Sequence, residues 1–140
     1  MNLTRILLIG GAGFIGSSLI NKLLENRDNR IIVFDNFERY SLSKEVNTKI
    51  EIFDVDIMDY DDLEFKLSLI RPSIIIHLAA LCGVDNVLSR ARQTMEVNAI
   101  GTYNILKAIV HNNLDLKKFI NFSTSEVYGS YSYKLGEDEK

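Results

Sequence analysis

The chain has one cysteine and one proline among its 140 residues, and no apolar run long enough to cross a bilayer. Each scarcity excludes something. With Cys82 alone no internal disulfide can form, which suits a reducing compartment. The amino terminus lacks a basic region followed by a long apolar one, and its apolar run passes straight into a glycine turn, so it does not read as a secretory signal. A net charge of only −3 gives no electrostatic case for nucleic acid or for an anionic membrane. Repeats, low-complexity tracts and linkers are missing as well. What is left is an average balance, 46% hydrophobic and 25% charged, at a length that suits one domain with one sizeable core. A cytoplasmic globular protein is the expectation.

The informative stretch is Ile6-Leu7-Leu8-Ile9-Gly10-Gly11-Ala12-Gly13-Phe14-Ile15-Gly16. Four apolar residues have the length of a strand buried on both faces. Beyond the glycines, Phe14, Ile15, Leu19, Ile20, Leu23 and Leu24 recur at helical spacing, which predicts a helix with that face on the sheet. A strand, a glycine turn and a helix start together present free N–H groups and a positive helix end to a phosphate. Both Gly11-x-Gly13-x-x-Gly16 and Gly10-x-x-Gly13-x-x-Gly16 fit a dinucleotide fingerprint. The plainer reading is a tight turn that uses glycine only for backbone shape. Against it stands Asp35, which ends the second apolar run, Ile31 to Phe34, 19 residues after Gly16. A carboxylate there is placed to bind the adenosine ribose hydroxyls and to repel a 2′-phosphate, favouring NAD over NADP.

Further along, residues 36–43, beginning with Asn36, read as a loop at the adenosine end of the cofactor. A third strand is predicted over Ile50 to Val55, with Asp56 and Ile57 at its mouth to meet an adenine ring. Six acids lie between Asp54 and Glu64. They read as a helix cap at Asp59 followed by an acidic first turn, not as paired catalytic carboxylates. The helix ends before Pro72. The fourth strand, Ile74 to His77, runs into Leu78-Ala79-Ala80, small enough to let a ligand approach the backbone. His77 reads as structural, Cys82 as a small packed residue, and Arg90 and Arg92 as a solvated helix start within reach of a phosphate. A helix from about Arg92 to His111 places Met95, Ala99, Tyr103, Leu106 and Val110 on one stripe, read as core. Asn98 inside it either makes a specific polar contact or simply costs the helix some stability. The fifth strand, Lys118 to Phe122, delivers Ser123-Thr124-Ser125-Glu126-Val127-Tyr128-Gly129. Five strands alternating with helices predict an α/β, doubly wound parallel sheet, a Rossmann fold, with ligands at the carboxyl edge.

Six segments in order resemble the extended short-chain dehydrogenase/reductase family, specifically its NAD-dependent nucleotide-sugar epimerases, dehydratases and decarboxylases. They are residues 10–16, Asp35-Asn36, Asp56-Ile57, His77-Leu78-Ala79-Ala80, Val97 to Thr102 and Ser123 to Gly129. The resemblance implies that Gly10, Gly13, Phe14, Ile15, Gly16, Asp35, Asn36, Asp56, Ile57, Leu78, Ala79, Ala80 and Asn98 hold NAD. It also implies oxidation of a sugar at C4 to a transient 4-keto species. Thr124 would bond the hydroxyl being oxidised, and Glu126 would act as general acid/base beside the keto group. Ser125 stands where glucose-type dehydratases carry an aspartate. Thr124-Ser125-Glu126 is similar instead to UDP-glucuronate decarboxylases and GDP-mannose dehydratases, which favours dehydratase or decarboxylase (lyase) chemistry over epimerisation (isomerase). No metal is implied.

The pattern also departs from the family. The family's catalytic Tyr-x-x-x-Lys lies on the helix after the fifth strand, and past that strand no tyrosine here is followed by lysine four residues on. The expectation is the NAD-binding domain of a longer enzyme, residues 1–140, truncated after the fifth strand, without the carboxy-terminal domain that reads the nucleotide sugar, and inactive alone. Family members are commonly dimers through the two helices beside the fifth strand, one of them missing here, which leaves a homodimer open. The competing reading is a non-catalytic NAD-binding module.

Overall fold

In the computed structural model, which describes residues 3–124 together with Val127 and Gly129, the apolar runs form the centre of one sheet. The strands are β1 (Thr4–Ile9), β2 (Asn29–Asp35), β3 (Glu51–Asp54), β4 (Ile74–His77) and β5 (Lys118–Asn121). They stand in the order β3-β2-β1-β4-β5, all pairs parallel. The order reverses at β1, so the gap between β1 and β4 at the carboxyl edge is the switch point where such sheets take ligands.

Register decides which side chain faces which layer. Leu7 lies opposite Ile32 and Ile75, and with Ile9 and Phe34 they form one core against α3 (Tyr60–Ile70) and α6 (Thr102–His111), through Leu63, Leu67, Ile105 and Ala108. The alternate residues Ile6, Leu8, Ile31, Val33 and Ile76 form the other, against Ile20 of α1 (Phe14–Leu23) and Val46 of a short α2 (Lys44–Asn47). β1 is therefore buried on both faces, as an unbroken apolar run requires. The Asp59 carboxylate accepts the Asp62 amide at 3.2 Å and caps α3. The same helix ends at Arg71 in the left-handed conformation, one residue before Pro72.

Four expectations need correction. Phe14 and Ile15 do not lie on the sheet; Phe14 is 83% exposed, because the first turn of α1 projects past the strand ends. The helix expected over 92–111 is preceded by α4 (Val84–Ser89) and built from α5 (Ala91–Met95), a π-helical turn (Glu96–Gly101) and α6. Its stripe of Met95, Ala99, Tyr103, Leu106 and Val110 faces outward instead of forming core, and Val110 is 75% exposed. Small residues explain the choice: Gly101 and Ala108 let the other face approach closely, and a Cβ on Gly101 would overlap the Ile57 side chain. Cys82 is exposed, not packed. Among the described residues, no helix is long and apolar enough to cross a membrane.

Candidate functional site

The glycine turn sits at the switch point under tight constraint. Gly10 has φ +78°, and a Cβ there would overlap the Ala79 backbone, so neither the conformation nor the space admits a side chain. The Gly10 amide is held by Phe34 O at 2.7 Å, while the Leu78 and Ala79 amides share Ile9 O at 2.7 and 2.9 Å. The turn is thus clamped between β2 and the segment after β4. α1 then starts at Gly13 with no side-chain cap. Its first bond into the helix is Ser17 N–H to Gly13 O at 2.9 Å, so the amides of Phe14, Ile15 and Gly16 ahead of it are the open donors of the helix end. Gly16 lies against the Gly11 carbonyl, whereas a Cβ on Gly13 would meet nothing nearer than Gly10 O at 3.5 Å. The exposure of Phe14 and Ile15 belongs to this geometry, since it leaves their backbone at an accessible rim.

Asp35 ends β2 beside that rim and is 8% exposed. One carboxylate oxygen accepts the Ala12 amide at 2.9 Å and the other the Phe37 amide at 2.8 Å. Burial raises this carboxyl above its ordinary value, the Phe37 and Ala12 amides pull it down, and the neighbouring Asp54 adds to the rise. Each oxygen retains a lone pair for an incoming hydroxyl. The Val55 amide bonds Asp35 O at 3.0 Å, which sets Asp56 and Ile57 beside it. Asp56 is exposed and turns its own loop through the Met58 amide at 2.9 Å, while Ile57 is buried under Gly101. Asn36 is exposed and accepts the Glu38 amide at 3.2 Å.

On the other side of β1, Ala79 touches the glycine turn and Ala80 is exposed at the edge. Asn98 reaches this segment through its side chain: its amide nitrogen donates to Leu81 O at 3.0 Å and its oxygen accepts the Leu81 amide at 2.8 Å. Sequence reasoning left the contact of Asn98 open, and no local signal names Leu81, 17 residues away. His77 is buried with Nε2 3.0 Å from Thr102 Oγ1, and burial alone lowers its pKa to about 4. Arg90 does not stand as a free cation; it holds Asn86 Oδ1 at 2.6 Å and reaches Glu38 at 3.4 Å, tying α4 to the loop after β2.

The Phe122 amide bonds His77 O at 3.1 Å and leads β5 to Thr124 at the same edge. Ser125 and Glu126 lie outside the described residues. The Tyr-x-x-x-Lys spacing, passed over in the sequence, occurs twice before β5. Tyr40 and Lys44 are split between a loop and the start of α2; Tyr103 projects outward from α6 while Lys107 stacks 4.0 Å over the Tyr60 ring. Neither pair lies beyond β5. Among the described residues no cluster of three potential metal ligands occurs. Two concavities lie at the opposite, amino edge around Arg5, Arg30 and Glu51, and neither is lined by the glycine turn, Asp35 or the Leu78–Ala80 segment.

Comparison with known proteins agrees with this arrangement. The sequence model described as GDP-mannose 4,6 dehydratase matches residues 7–140. A UDP-N-acetyl-alpha-D-glucosaminuronate decarboxylase of Bacillus cytotoxicus is 34% identical over 137 residues, 96% of this chain and 41% of that protein. A dTDP-D-glucose 4,6-dehydratase of Dictyostelium discoideum is 39% identical over 134 residues, 90% of this chain and 30% of that protein. The chain therefore spans well under half the length of these curated relatives. Among solved structures, UDP-glucose 4-epimerase of Thermus thermophilus in complex with NAD superposes with a TM-score of 0.78 at 30% identity, covering 98% of this chain and 42% of its own. The UDP-glucose 4-epimerase of Thermotoga maritima with UDP-glucose gives 0.76 at 34%, covering 87% of this chain and 38% of its own. An uncapped glycine-led helix, an acid at the end of β2 and a family match over nearly the whole length lead to one conclusion: the chain belongs to the GDP-mannose 4,6 dehydratase family of the extended short-chain dehydrogenases/reductases.

Proposed function

We propose that residues 1–140 are the NAD-binding part of a nucleotide-sugar dehydratase, decarboxylase or epimerase that works through a 4-keto sugar. The carrying observation is the pairing of the uncapped α1 end with Asp35, bridged by the Ala12 amide at 2.9 Å. The Phe14, Ile15 and Gly16 amides and the helix dipole suit a pyrophosphate. Asp35, held by two amides, accepts from ribose hydroxyls, and Asp56 and Ile57 flank the adenine. Leu78, Ala79 and Ala80 wall the opposite half of the cleft. NAD, when bound, supplies the hydride acceptor for oxidation at the sugar C4.

Thr124 holds the hydroxyl at that carbon, and Glu126, with Ser125 beside it, moves the proton next to the keto group. Sugar recognition belongs to the additional length that the relatives carry. The chain by itself shows no turnover in this reading, because no Tyr-x-x-x-Lys follows β5; steady conversion of UDP-glucuronate or GDP-mannose by the pure chain overturns that point.

Calorimetric titration tests the cofactor assignment. NAD binds at least about tenfold more tightly than NADP, since a 2′-phosphate would meet the Asp35 carboxylate, a penalty above about 1.4 kcal/mol. Equal or tighter binding of NADP refutes it.

A further inference from the structure

The end of β4 holds a polar network that the proposed function does not use. His77 is 3% exposed, and its ring reaches up to the helix that covers this face of the sheet. The Thr102 hydroxyl donates to Asn98 O at 2.8 Å, while the Thr102 amide bonds Ala99 O. A hydroxyl has one proton, and here it is given to Asn98. The contact to His77 is therefore an Nε2–H donating to Thr102 Oγ1, and the neutral imidazole is fixed in that tautomer. Nδ1 is left as a bare, buried lone pair without a partner among the described residues.

Asn98 lies in the π-helical turn, where the winding is wider than in the flanking α-helix. Its carbonyl is held by Thr102, and its side chain pairs with both polar backbone groups of Leu81, itself buried. Of the side chains of this length, only a primary amide can donate and accept toward one residue in this way. The connections close a ring: His77 to Thr102, Thr102 to Asn98, Asn98 to Leu81, and Leu81 back along four residues to His77. Leu78 to Ala80 lie within that ring, and Ala79 touches Gly10. Asn98 thus grips the Leu81 backbone through both its polar atoms.

We propose that His77 and Thr102 are positioning residues that lock the π-helical turn, so that Asn98 holds the Leu78–Leu81 backbone as the wall of the dinucleotide cleft on the nicotinamide side. The assignment of side rests on the cofactor reading above: Asp35 takes the adenosine half beyond β2, and β4 stands across the switch point from it.

Thr102→Val removes both hydroxyl contacts at constant shape, and Thr102→Ser keeps them. Amide exchange of Leu81 followed by NMR reports the clamp, and titration with NAD and with AMP separates the two halves of the cleft. The expected result for Thr102→Val is Leu81 exchange accelerated about tenfold relative to Leu8, NAD binding weakened about tenfold and AMP binding unchanged, with Thr102→Ser restoring all three. Asn98→Ala, which leaves the His77 and Thr102 side chains in place, gives the same pattern and serves if the valine variant does not fold. Unchanged Leu81 protection overturns the proposal, as does equal weakening of NAD and AMP, the mark of general loosening. A parent chain that binds neither nucleotide refutes the cofactor reading and the placing of the wall, while Leu81 exchange still decides whether the clamp exists.

Discussion

Acidification from pH 7 to pH 5 is expected to cost the fold about 2 kcal/mol through His77 alone. The ring has one proton committed to Thr102 and a second nitrogen buried without an acceptor among the described residues, so adding a proton places a charge in a desolvated site. Its folded pKa accordingly lies at about 4 against 6.5 for the free side chain. With the folded value depressed, the unfolded chain binds the proton first as pH falls. The stability is complete above about pH 6.5, declines below it and is exhausted near pH 4. The full gap of about 2.5 pH units corresponds to about 3 kcal/mol, of which about 2 kcal/mol is lost by pH 5.

Urea unfolding of the parent chain and of His77→Phe across pH 4.5 to 7.5 isolates this term, because the difference between them cancels the carboxylates. Asp35 is one such carboxylate: its raised pKa favours the folded state as pH falls, and it is common to both chains. The stability gap between parent and variant should narrow by about 2 kcal/mol from pH 7 to pH 5. A gap independent of pH, or a His77 ring titrating near pH 6.5 by NMR in the folded state, refutes the reasoning.

Other perturbations probe separate features. Asp59→Ala removes the α3 cap and should lower stability by about 1 kcal/mol in urea unfolding. Gly101→Ala drives a methyl into Ile57 and should cost about 1–3 kcal/mol, recovered in part by Ile57→Val in the double variant; additive losses refute the contact. Arg30→Ala breaks a two-point pair with Glu51 that is about half exposed, so a loss under about 1 kcal/mol that shrinks in high salt is expected. Asp35→Asn should abolish the preference for NAD over NADP, and an unaltered ratio in calorimetry places the discrimination elsewhere.

That five parallel strands form one doubly wound sheet could be anticipated from local pattern alone. Short apolar runs bounded by turn signals, such as Leu7 to Ile9 and Ile31 to Phe34, suit strands buried on both faces, and Gly10 at φ +78° is a backbone demand that glycine meets directly. The helix after β4 was ambiguous because it carries two apolar arcs at helical spacing, one with Gly101, Ile105 and Ala108, the other with Tyr103, Leu106 and Val110. Periodicity cannot rank them. Closeness of approach to Ile57 and the sheet does, and that distance exists only in the folded chain. The π-helical turn has no residue signature either, since its position follows from the contacts of Asn98 and Thr102 with residues 17 and 25 positions away. The sequence by itself determined five parallel strands alternating with helices and the glycine turn after β1, because these follow from backbone preference and spacing along the chain. Only the tertiary structure decided which helix face is core, why His77 is neutral and what Asn98 holds, because each depends on atoms brought together across the sheet.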